Sequence, residues 1–182
     1  MARALILFAL CVLPALVSAA RPTRNPFIVQ GRVYCDTCRA GFETSATTYL
    51  PGNLSLSHTH THIHTDAVLT SFVLSAKVRV ECKDRDTLQL LYSIEGVTDS
   101  TGTYKILVSE DHEDQFCDAV LVSSPQDDCS SVDPGHDRAR VILTRYNGIV
   151  SDNRFANSLG FMKDQAFSVC TQLLKQYKES EE

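Results

Sequence analysis

Seven cysteines, one inside an apolar leader and six beyond it, constrain this chain more than any other feature. Arg3 gives the leader a positive start, residues 4–17 are almost wholly apolar, and Ser18-Ala19-Ala20 offers the small residues a signal peptidase needs. We expect a signal peptide over 1–20 and a mature chain over 21–182. The apolar stretch is shorter than the roughly 20 residues a bilayer-spanning helix requires, and no second one follows. Cys11 leaves with the leader. The mature chain then holds Cys35, Cys38, Cys82, Cys117, Cys129 and Cys170. An even number in an oxidising compartment reads as three disulfides, and counting alone leaves 15 pairings open.

Roughly 160 residues suit one domain with a real core, and no repeat or linker divides them. Loss of Arg3 with the leader leaves 16 basic against 22 acidic residues, a formal charge of −6. Acids gather at Glu110, Asp111, Glu113 and Asp114, at Asp127 and Asp128, and in the tail at Glu179, Glu181 and Glu182. Nucleic acid and anionic membrane both demand a basic face, so neither is expected as a partner. Each acidic run reads as a solvated surface.

Most of the apolar patterning is that of strands. Residues 27–34 and 77–82 alternate, the latter setting Val78, Val80 and Cys82 against Arg79 and Glu81. Residues 88–97 and 103–108 flank Asp99-Ser100-Thr101-Gly102, a hairpin turn, and residues 118–122 and 140–144 add two more strands. Asn147-Gly148 marks a further turn. This pattern predicts an all-β fold, a small antiparallel β-barrel or sandwich of about seven strands. One helix is expected near the C-terminus, with Ala166, Phe167, Val169, Cys170, Leu173, Leu174 and Tyr177 on one face and Asp164 as cap.

Cys35-Asp36-Thr37-Cys38 has the spacing of a thioredoxin-type redox pair, but it follows a strand in a chain with four further cysteines and lacks a βαβ context. A zinc site there conflicts with oxidation of thiolates outside the cell. The surrounding run, Gln-Gly-Arg-Val-Tyr-Cys-Asp-Thr-Cys-Arg at 30–39, resembles the signature of the Ole e I-type pollen proteins, secreted plant proteins that include major allergens. The likeness continues through Ala-Gly-Phe-Glu-Thr at 40–44, Val-Arg-Val-Glu-Cys-Lys-Asp at 78–84, Asp111-His112 to Cys117, Asp128-Cys129 and Asp-Arg-Ala-Arg-Val at 137–141. It covers nearly the whole mature chain. The resemblance implies bridges Cys35–Cys129, Cys38–Cys170 and Cys82–Cys117.

The departure from that family lies between Gly52 and Ala76. Members resembling this chain run almost directly from a Pro-Gly into Ala-Lys-Val, whereas residues 53–75 are interposed here. Read as a strand, His58, His60, His62 and His64 share one face with metal-ligand chemistry. A genetic reading competes with it: Leu-Ser repeats are encoded by CTCTCT, His-Thr repeats by CACACA, and Gly52-Asn53 by GGTAAT, which contains a donor-like GTAA. We therefore expect 53–75 to be an insertion of translated-intron type and expect no physiological metal site. Asn53-Leu54-Ser55, the one N-glycosylation acceptor, sits at its edge.

No Gly-x-Ser-x-Gly elbow, His-Glu-x-x-His or phosphate-cradling loop occurs, and no catalytic residue or cofactor is expected. His112 and His136 have acidic neighbours and read as surface histidines. Asp137-Arg138-Ala139-Arg140 reads as an ion-paired strand edge. The resemblance implies a non-enzymatic protein of the extracellular space, a potential allergen, acting in pollen development or tube growth through a receptor kinase or cell-wall partner. The alternative is a secreted enzyme inhibitor or hydrolase on the same disulfide-rich scaffold.

Overall fold

The strand periodicity of residues 27–36 carries the architecture, because this one strand serves four neighbours. In the computed structural model, which describes residues 25–55 and 72–179, β1 (Phe27–Asp36) pairs antiparallel with β7 (Thr103–Val108) along its first half and with β2 (Thr48–Tyr49) along its second. On its other side it runs parallel to β11 (Asn153–Phe155) and then to β12 (Leu159–Met162), which in turn pairs with β9 (Ser131–Val132). Phe27, Val29 and Val33 alternate inward, as a half-buried strand requires. From Val33 onward every residue of β1 is buried, since neighbours cover both edges and both faces.

The second sheet is antiparallel, in the order β10 (Arg138–Val141), β8 (Gln115–Ser123), β5 (Lys77–Asp84) and β6 (Leu90–Val97). Val78, Val80 and Cys82 of β5, Cys117, Ala119 and Leu121 of β8, and Ala139 and Val141 of β10 face the first sheet. They meet Phe27, Val29, Val33, Tyr104, Ile106, Val108, Leu159 and Phe161 in one core. Full burial of each Val, Leu or Phe side chain contributes about 1.5 to 3 kcal/mol, so this interface is the main source of cohesion. The sheets stay open, and the fold is a sandwich rather than a closed barrel.

The crossing between sheets is the turn after β6. Thr98 pairs with Tyr104 as an isolated bridge, and Gly102 turns with φ +76°. The Asp99 carboxylate accepts from the Thr101 hydroxyl and from the Thr101 and Thr103 N–H groups, which holds it below its ordinary pKa. Two other glycines admit tyrosines: a Cβ on Gly160 would stand 2.5 Å from Tyr34 Cζ, and one on Gly31 would collide with the Tyr104 hydroxyl. Both rings are fully buried.

Three expectations are corrected in detail. The strand beginning near 88 starts instead at Leu90, because Leu88 takes φ +57° and its N–H closes a turn on the Asp84 carbonyl. The strand expected over 140–144 ends at Val141. Beyond it, the Ile142 and Thr144 carbonyls accept from Arg154 and that of Leu143 accepts from the His112 N–H. The helix, α1 (Cys170–Glu179), starts at Cys170 rather than near Asp164, and of its residues only Cys170 is buried.

Candidate functional site

An open cleft of about 530 Å3 is lined by Asp128, Lys163, Asp164, Gln165, Ala166, Phe167 and Ser168, and the buried Cys-Asp-Thr-Cys run is bonded to the segments that form it. Each residue of the run has a separate structural task. Cys35, at the end of β1, is bonded to Cys129, which closes the 3-10 turn Asp127–Cys129 and so places Asp128 on one wall. Cys38 is bonded to Cys170, the first residue of α1, which fixes the other wall where 165–168 leads into the helix.

Between the cysteines, Asp36 is fully buried and its carboxylate accepts from the N–H groups of Cys38 (3.1 Å) and Gly41 (2.8 Å). A buried carboxylate with such donors is a turn-forming group rather than a free acid. The Thr37 hydroxyl donates to the Ala46 carbonyl at 2.8 Å, while the Thr37 and Asp36 carbonyls accept from Phe167 and Lys163 N–H. Arg39, in left-handed backbone, reaches back to the carbonyls of Lys163 and Asp164. These bonds hold 163–168 in an irregular strap instead of a first helical turn, which is why α1 begins late.

Across the cleft Lys163 Nζ lies 2.6 Å from the Asp128 carboxylate and 5.5 Å from the centre of the Phe167 ring. The Asp164 N–H donates to the Asp128 carbonyl at 2.8 Å. The lining thus offers two carboxylates, an ammonium, an amide, a hydroxyl and an exposed aromatic ring on a rigid frame, a set suited to recognition. Asp128 is largely exposed, so the ion pair adds little stability. Lys163→Ala is expected to change unfolding free energy by less than about 1 kcal/mol, read from the urea midpoint.

A second polar cluster lies behind β1. The buried Tyr34 hydroxyl donates to Asp133 at 3.4 Å, and burial together with that carboxylate pushes the phenol above its ordinary pKa. Nδ1 of the half-buried His136 is 3.2 Å from the same carboxylate, close enough for a charge pair but without hydrogen-bond alignment. His112, expected at the surface, is instead 4 % exposed, packed against Tyr92 in a tilted ring contact at 4.7 Å with Nδ1 bonded to Gln115 Oε1. The strand edge 137–140 carries Arg138 beside Asp137 and Arg140 bonded to Asp118.

The third disulfide joins Cys82 to Cys117, directly opposed on β5 and β8. Asn53 opens β3 (Asn53–Ser55) opposite Leu74 of β4 (Phe72–Leu74). His58, His60, His62 and His64 lie outside the described residues. The cleft itself carries no sequence signal: nothing in Lys-Asp-Gln-Ala-Phe-Ser distinguishes a cleft wall from a loop entering a helix.

Comparison with known proteins gives a consistent result. The family model described as "Pollen protein Ole e 1 like" matches residues 58–178. Pollen-specific protein C13 of Zea mays is 43 % identical over 95 % of this chain and 88 % of its own length. Anther-specific protein LAT52 of Solanum lycopersicum is 37 % identical over 96 % and 94 %. Among solved structures, the major plantain pollen allergen Pla l 1 superposes with TM-score 0.59 at 27 % identity, covering 78 % of this chain and 96 % of that one.

Proposed function

Because this chain belongs to the Ole e 1-like family of pollen proteins, we propose that it is a non-catalytic secreted protein that binds a cell-wall component or receptor ectodomain through the cleft between Asp128 and Ser168. The observation that carries this reading is the use made of the signature motif. Both of its cysteines and its buried aspartate serve to fix the two cleft walls, which leaves no free thiol or acid within the motif itself. Secretion is supported by the leader pattern of residues 1–20 and by disulfides that need an oxidising compartment. The pollen allergens among its relatives make allergenicity a reasonable extension.

The test is retention of purified protein on isolated pollen or anther wall material and on receptor ectodomains. Phe167→Ala and Lys163→Ala are run alongside. The reading expects retention by the native chain and at least a tenfold loss in either variant, each still folded. Equal retention by all three, or turnover in a hydrolase or protease-inhibition panel, would overturn it.

We further propose that residues 53–75 are an insertion that the domain does not need. Both ends are anchored at one place. Gly52 N–H donates to the Asp99 carbonyl at 2.7 Å, Ala76 N–H to the Thr98 hydroxyl at 3.1 Å, and Asn53 pairs with Leu74 between them. The chain therefore leaves and returns at one point of the sandwich. A deletion joining Gly52 to Ala76 is expected to form all three disulfides and to melt within a few degrees of the full chain, since no core residue among the described ones falls within it. Failure to fold would contradict the proposal; a spliced message from reproductive tissue that encodes the segment would contradict its translated-intron origin.

A further inference from the structure

The turn at Asn147-Gly148 is used neither by the core nor by the cleft. Tyr146 to Ser151 are all exposed, and Gly148 takes φ +79°. The Ile149 N–H donates to the Asn147 side-chain oxygen at 3.1 Å, so the side chain folds back over the peptide that follows it and carries Cγ towards the Gly148 nitrogen. The same bond polarises the side-chain carbonyl, as a donor fixed on a developing oxyanion does. Among the described residues the Gly148 N–H has no acceptor, and a Cβ at 148 would meet nothing within 4 Å. Neither a hydrogen bond nor a crowding neighbour restrains that nitrogen.

We propose that Asn147 is a modification site, converting without an enzyme to aspartyl and isoaspartyl residues in the folded protein. The Gly148 nitrogen loses its proton to solvent base and attacks Asn147 Cγ. The bond from Cγ to the side-chain nitrogen breaks, that nitrogen takes a proton from solvent and leaves as ammonia, and a five-membered succinimide remains. Water then adds to one of the two ring carbonyls. Breaking the bond from Cγ to the Gly148 nitrogen gives aspartate on the original backbone. Breaking the bond from the Asn147 backbone carbonyl carbon to that nitrogen gives isoaspartate, with the chain running through the former side chain. Either route consumes one water, releases one ammonia and needs no oxidant or reductant.

The other four asparagines lack this arrangement. Asn25 precedes Pro26, which has no N–H to lose. Asn53 and Asn153 are held in ladders opposite Leu74 and Ile28. Asn157 precedes Ser158, whose side chain crowds the attack. The products at 147 fit the fold, because the loop is fixed outside the turn: Arg145 N–H donates to the Asp111 carboxylate at 3.0 Å, and Ile28 N–H to the Asp152 carbonyl at 3.0 Å. Deamidation places a negative charge in an otherwise uncharged segment, 146–151, beside the exposed Tyr146, Ile149 and Val150.

The experiment incubates the oxidised full chain at physiological temperature and mildly alkaline pH. Tryptic peptides are followed by fragmentation mass spectrometry, isoaspartate is labelled with an isoaspartyl methyltransferase, and circular dichroism monitors the fold. Asn147 is expected to exchange NH2 for OH at least about tenfold faster than any other asparagine, giving both aspartate and isoaspartate with the spectrum unchanged. Ile149→Pro, which keeps Asn147-Gly148 but removes the donor to the side-chain oxygen, is expected to slow the reaction about tenfold. Gly148→Val should slow it at least as much, by crowding the attacking nitrogen. Faster reaction at Asn153 or Asn157, aspartate without isoaspartate, an unchanged rate in either variant, or a rate that tracks the unfolded fraction in mild urea would each overturn the proposal.

Discussion

The double variant Cys35→Ala/Cys129→Ala is expected to lose about 4 to 5 kcal/mol of unfolding free energy, enough to leave many domains of this size largely unfolded. The bridge spans 94 residues, and in the chain-entropy description a loop of that length stabilises by nearly 5 kcal/mol. Both sulfurs lie in the core, so their removal also leaves a void. The Cys38–Cys170 bridge spans 132 residues and by loop length alone contributes as much. The structure predicts otherwise. It ties down a helix that buries only Cys170, so without it α1 detaches while the sandwich persists. Urea unfolding should show the large loss only for the first pair. Hydrogen exchange should show lost protection confined to 163–179 for the second.

Arg154→Ala is expected to cost about 3 kcal/mol, through a different mechanism. Arg154 is 4 % exposed, and its guanidinium donates to the carbonyls of Ile142, Thr144, Ser151 and Asn153 while lying 4.8 Å from the centre of the Phe27 ring. Burial, with the nearby Arg145, lowers its pKa from the ordinary value. Alanine leaves carbonyls without donors in a place water reaches poorly, and this penalty exceeds the modest net value of the bonds themselves. Arg154→Lys keeps a charge but loses the fork, and should recover less than half the loss. Chemical denaturation of the three proteins measures both differences.

What could be read from the sequence was whatever has a period. Val78, Val80 and Cys82 against Arg79 and Glu81 gave β5 its inner face, and the Asp99–Gly102 turn followed from turn chemistry alone. β11 and β12 were not legible because three or four residues carry no periodicity, and their parallel pairing with β1 is decided by packing. The helical stripe overstates the helix for the converse reason: Ala166 and Phe167 fit it, yet the Phe167 N–H is claimed by the Thr37 carbonyl, more than a hundred residues away. His112 reads as a surface residue because Asp111 and Glu113 flank it. Both neighbours are exposed, but the ring turns inward under Tyr92.

The cleft shows the same division. The run that anchors it is visible as a motif whose cysteine spacing admits several meanings, and its walls are invisible, because Asp128 and Lys163–Ser168 are brought together only by bridges and backbone bonds across the chain. The structure gives the Cys-Asp-Thr-Cys run a consistent reading: a two-pronged staple, with Asp36 closing the turn between the prongs.

Binding through the cleft is tested most directly by amide chemical-shift mapping of the isotopically labelled, oxidised chain with a wall fraction or receptor ectodomain that retains it. Perturbed amides are expected to cluster at Asp128 and Lys163–Ser168 and to spare the outer face of the β10–β8–β5–β6 sheet. Perturbations centred on that outer face, or on residues 53–75, would contradict it.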